Sequence, residues 1–72
     1  MTNSKLLKDK IRESGLKMTF IAQFVGISRG ALYNKINNLR PFTQYEIAKM
    51  CLVLRITELE DKEAIFFAHE VI

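Results

Sequence analysis

Arginine and asparagine side chains can each offer two hydrogen bonds at once to a planar edge. Arg29, Asn34 and Asn37 lie close together in the segment "SRGALYNKIN", residues 28–37. At about 100° per residue, Gly30, Tyr33, Asn34 and Asn37 share one face of a helix. Arg29 flanks the first turn of that helix and Lys35 its middle. Such a face recognises by hydrogen bonding and carries no group that makes or breaks covalent bonds. Asn38 and Arg40 follow it directly, and Lys17, Met18 and Thr19 open the preceding apolar stretch. With Ser28, these residues form the candidate binding set. The chain has no nucleophile beside a base, no paired acids and no phosphate-cradling glycine loop, so a binding protein is expected and not an enzyme. One cysteine and one histidine cannot complete a zinc site. No metal, cofactor or small-molecule ligand is expected.

A binding face needs a frame, and the frame is legible as short helical pieces. Residues 4–14 read as a first helix with Leu6, Leu7 and Ile11 apolar and Lys5, Lys8, Asp9, Lys10, Arg12 and Glu13 outside. Gly15 suits the residue just past a helix end. Residues 18–25 read as a second helix, with Ile21, Ala22 and Val25 as its buried stripe and Gly26 as its stop. Ser28 is a natural N-cap for a third helix. Leu32 and Ile36, four apart, turn that helix inward and leave the candidate face outside. "TQYE", Thr43 to Glu46, is a capping-box signature that opens a fourth helix, with Ile47, Met50, Cys51 and Leu54 buried. "TELE", Thr57 to Glu60, repeats the signature and opens a fifth. "AIFFA", Ala64 to Ala68, fits a continued helix or a short buried strand.

Composition narrows the class. At 72 residues the chain is one domain, and its 49% apolar content is enough for a packed core. A single cysteine excludes an internal disulfide and fits a reducing cytoplasm. The apolar runs are too short to span a bilayer, and "MTNSKLLKDKIRESG" lacks a signal-peptide core. The net charge of +3 hides a division. Residues 1–56 hold ten Lys and Arg against Asp9, Glu13 and Glu46, a net +7; residues 57–72 hold Lys62 against five acids, a net −4. The basic part suits a polyanionic partner. An RNA-associated role fits less well, because no aromatic stacking platform or RNA motif is present.

A helix, a short turn with glycine and a second helix with a polar outer face make the helix-turn-helix plan, here about residues 18–37. "IAQFVGISRGALYNKIN" resembles the motif of the Cro/CI-type (XRE family) phage regulators, with Ala22, Gly26, Ile27, Ser28, Leu32 and Ile36 at its structural positions. "INNLRPFTQYEIAKM" and "AIFFA" look like short Cro-like prophage proteins of Gram-positive bacteria. The resemblance implies an all-α, lambda-repressor-like bundle of four to five short helices with a central helix-turn-helix. It implies a small transcriptional regulator in a lysis/lysogeny-type switch, working in the cytoplasm of a bacterial host at its nucleoid. Arg29 would then pair with guanine and Asn34 with adenine in the major groove. Lys35, Asn37, Asn38 and Arg40 would hold phosphates, with a second backbone contact near Lys17. A homodimer on paired half-sites is expected, joined through residues 57–72. Two positions depart from the family pattern. Met18 stands where a polar phosphate clamp is usual, and Gly30 where many relatives carry a base-reading side chain. Met18, Thr19, Gly30 and Tyr33 therefore also suit a protein partner. The alternative expectation is an antirepressor that binds its cognate repressor through this same surface.

Overall fold

The computed structural model describes residues 1–68 and contains five helices: α1 (Ser4–Ser14), α2 (Met18–Val25), α3 (Arg29–Ile36), α4 (Gln44–Leu54) and α5 (Leu59–Phe66). The fold is an all-α bundle, with no strand among the described residues. The part of the expected dimer segment on residues 69–72, with His69, lies outside those described.

One core joins all five helices. Leu7, Ile21, Leu32 and Met50 are completely buried, one from each of the first four helices, and Ile65 and Phe66 of α5 close the set. Phe42, just before α4, packs edge-on against Phe66 with ring centroids 5.5 Å apart, a favoured aromatic geometry.

Local chemistry sets the helix ends. The Asn3 side chain caps α1 by accepting from the Leu6 N–H at 3.1 Å. Gly26 ends α2 with φ of 91°, a left-handed conformation that suits glycine. The Gly26 and Ile27 N–H groups both donate to the Ala22 carbonyl, which turns the chain sharply into α3. The capping box of α4 forms in full: the Thr43 hydroxyl accepts from the Glu46 N–H, and the Glu46 carboxylate accepts from the Thr43 N–H. Arg55 ends α4 in the left-handed region at φ of 58°, and the Ile56 N–H donates back to the Cys51 carbonyl.

Two sequence expectations are corrected here. Leu6 is exposed and only Leu7 of that pair enters the core, because adjacent positions on a helix point in different directions. The Thr57 capping box does not form. Glu58 is the N-cap of α5 and makes no side-chain cap bond. Ile56 is buried, and the helix begins three residues later at Leu59. "AIFFA" resolves as the end of a helix: Ala64 to Phe66 lie within α5, and Phe67 is its C-cap. Among the described residues no helix is long and apolar enough to cross a membrane.

Candidate functional site

The outer face of α3 is built from its ends inward. At the N-terminus the Ser28 hydroxyl accepts from the Ala31 N–H at 3.0 Å. Leu32 and Ile36 then fix the rotation of the helix by entering the core. Arg29, Gly30, Tyr33, Asn34 and Asn37 are left exposed, as their spacing predicts. At the C-terminus the Asn37 carboxamide donates to the Tyr33 carbonyl at 3.0 Å, which holds it against the helix end.

Gly30 is the most informative position. Its backbone is not left-handed, and a Cβ added there would meet nothing within 4 Å. No neighbour within the chain requires glycine. Gly30 is the second residue of α3, and glycine within a helix costs up to about 1 kcal/mol relative to alanine, so the fold alone gives no reason for it.

The electrostatics agree. No acid occurs between Glu13 and Glu46, so Lys17 and Arg29 have no acidic neighbour close in sequence. Lys17, the N-cap of α2, is exposed and makes no side-chain cap bond. The first amides of α2 therefore have no side-chain partner, an arrangement that favours an anion. Thr19 is exposed beside them.

Three members of the candidate set take other roles. Lys35 is not presented outward. It pairs with Glu46 of α4 at 2.5 Å, with side chains only 13% and 11% exposed, so it ties α3 to α4 and is not a phosphate contact. Burial raises the Glu46 pKa. The hydrogen bond from Lys35, the Thr43 N–H, the Lys35 charge and the Thr43 hydroxyl together outweigh that and hold it below its ordinary value. Asn38 is a clamp. Its backbone is left-handed (φ of 63°), and its side chain both accepts from the Thr2 N–H at 2.9 Å and donates to the Thr2 carbonyl at 2.7 Å. Met18 is half-buried and packs against the core. It is less free for a partner than expected. Arg40 is exposed at the far end of the α3–α4 turn.

Sequence reasoning missed the supporting residues. Thr2 is buried, and the Ser4 hydroxyl donates to the Ile36 carbonyl at the last residue of α3. The Asn3 N–H donates to the Ile65 carbonyl at 2.6 Å, so the N-terminal residues join the end of α3 to α5. Nothing in the local pattern signals contacts between residues so far apart in sequence. Ile11, Met18, Tyr33 and Ile36 also floor a small cleft of about 240 Å³, edged by Lys8 and Arg12, beside the α3 face. Arg12 is bonded to Asp9 there at 2.6 Å.

The Cys51 thiol is half-buried against the core, and burial pushes its pKa up, partly offset by the Lys62 charge. It has the character of an inert packing thiol. Comparison with known proteins finds no matching family model, no matching curated protein and no matching solved structure.

Proposed function

We propose that this protein is a small DNA-binding transcriptional regulator of the Cro/repressor kind. Its α3 enters the major groove, and the first turn of α2 rests on the backbone. The observation that carries this reading is the exposed α3 face, where a glycine with no structural role in the monomer sits among Arg29, Asn34 and Asn37. Arg29 pairs with guanine O6 and N7, and Asn34 with adenine N6 and N7. Lys17, Thr19 and Asn37 grip phosphates. Gly30 admits the groove edge without reading it. Lys35 and Asn38 hold α3 in place from behind.

The test is a titration of the DNA upstream of the protein's own gene, with an unrelated duplex as competitor, at several salt concentrations. The expected result is preferential binding that weakens as salt rises. Equal affinity for both duplexes at low salt overturns the reading.

The cleft floored by Ile11, Met18, Tyr33 and Ile36 favours a second reading. An apolar cleft at this place suits a protein side chain better than a phosphate. In that reading the protein is an antirepressor that covers the DNA-reading face of its cognate repressor. A pull-down with the repressor encoded beside its gene separates the two. No complex at micromolar concentrations removes the second reading.

A further inference from the structure

Helix α1 divides its charged side chains between two sides. Lys8 and Arg12, one turn apart, edge the cleft that lies beside the α3 face. Lys10 and Glu13 line a separate cleft, against Phe20 and Phe24 of α2 and the C-terminal end of α4. Lys5 shares the stripe of Lys8 and Arg12 at i, i+3, i+7 spacing. All three cations of that stripe are exposed. Their cleft is also lined by Met18, the first residue of α2, and by Tyr33 on the outer face of α3. Three elements therefore border one surface: the recognition face of α3, the uncapped first turn of α2, and a row of cations on α1.

One acid belongs to that row. Asp9 holds Arg12 at 2.6 Å and Lys5 at 3.5 Å. The two cations stay 76% and 87% exposed all the same, so donors remain free on both. Lys8 has no ion-pair partner among the described residues. Exposed pairs of this kind contribute little to stability, so the fold gives no strong reason for the row.

We propose that this flank of α1 is a third phosphate-binding element, beside α3 and the first turn of α2. Lys8 and Arg12 bind the DNA backbone where it passes the cleft, and Asp9 weakens that grip by competing for Arg12 and Lys5. The inference rests on the DNA-binding reading and adds to it a grip that is blind to sequence. The floor of the cleft is apolar, but its rim, where a backbone would pass, is cationic. Lys8 brings a point charge with three donors, and Arg12 a planar fork with donors left over after Asp9 is satisfied. The two lie about 6 Å apart along the helix axis, so they reach separate points on a strand.

The test is the same salt titration, with the upstream DNA and the unrelated duplex measured separately. Each neutralised phosphate contributes about 0.9 to the slope of log K against log salt. Lys8→Gln and Arg12→Gln are each expected to lower the slope by about 1 and to weaken both duplexes alike, several-fold at low salt. Arg29→Ala instead narrows the gap between the duplexes. Lys10→Gln, on the other side of α1, leaves the slope unchanged. Asp9→Asn steepens the slope and tightens both duplexes several-fold. None of these side chains is buried, and circular dichroism should show the wild-type fold for each. Wild-type binding whose slope survives both Lys8→Gln and Arg12→Gln overturns this inference and leaves the DNA-binding reading standing. An equal loss from Lys10→Gln also overturns it, because the effect would then be one of net charge. An Asp9→Asn protein that binds no more tightly overturns the competing role of Asp9. Equal wild-type affinity for the two duplexes overturns sequence-specific regulation alone, and the slopes still decide the role of α1. No wild-type binding to either duplex overturns both.

Discussion

α3 and α5 are both eight residues long, and each buries two side chains. They use their outer positions in opposite ways. α5 fills its exposed face with Glu60, Asp61 and Glu63. Acids in a first turn complement the positive end of the helix dipole. α3 has no acid in its first turn and exposes Gly30, Tyr33, Asn34 and Asn37, all poorer helix formers. The helix at the candidate site thus gives up intrinsic stability that the acidic helix keeps. It is held instead by its surroundings: the Ser28 cap, the Lys35–Glu46 pair, and the bonds from Ser4 and Asn38 at its C-terminal end. A helix fastened from behind is free to use its front for recognition.

The largest effects should erase the difference between the two helices, because both depend on one core. Leu32→Ala in α3 and Ile65→Ala in α5 are each expected to cost about 3 kcal/mol. Urea unfolding followed by circular dichroism measures both. A cost below about 1 kcal/mol for either would show that its helix is not anchored as described.

The next effect belongs to α3. Lys35→Met leaves the Glu46 carboxylate nearly buried without its counter-ion and is expected to cost about 2 kcal/mol at neutral pH. The pH dependence follows from the lowered pKa of Glu46. This contribution to stability is full above the ordinary value of 4.5 and is lost as the pH falls through the lower folded value. Lys35→Met should flatten that part of the stability profile, while a Glu60→Gln change in α5 should leave it in place. Thermal unfolding between pH 7 and pH 3 distinguishes them.

Arg29→Ala separates the two helices by function. It removes a bidentate donor from an exposed position and should reduce DNA affinity by about tenfold or more, equivalent to 1–3 kcal/mol. Its effect on stability should stay within about 0.5 kcal/mol. Anisotropy and urea unfolding on the same variant give both numbers.

Gly30→Ala is smaller and sharper, because its two effects have opposite signs. With open space for the new methyl group, the fold should gain up to about 1 kcal/mol. Binding should weaken several-fold if the groove edge approaches this backbone. A gain in stability with no loss of binding would mean that nothing docks at Gly30. The smallest effect is expected for Glu63→Gln in α5, within about 0.5 kcal/mol of wild type in stability, with DNA binding unchanged or slightly stronger.

Much of the frame was legible because it is written in neighbouring residues. Ser28 and the Thr43–Glu46 box act across three positions, Gly26 acts within one turn, and Leu32 and Ile36 repeat at helical spacing. The same rules set the exposed face of α3. They failed at Thr57, where an equally good capping signature is followed by a helix that begins at Leu59 without it. They gave no sign that Lys35 and Asn38 are bonded to other elements: Lys35 is nearly buried against Glu46, and Asn38, exposed as expected, also holds Thr2.

By itself, then, the sequence determined where the first four helices begin and which side of α3 faces water, since caps and periodicity are short-range physics. It also determined the acid-free stretch that surrounds that face. Only the tertiary structure decided what holds the face in place. Lys35 meets Glu46 across two helices, and Asn38 meets Thr2 from the opposite end of the first half of the chain. A nearly buried charge needs a partner, but composition cannot say which one the fold will bring.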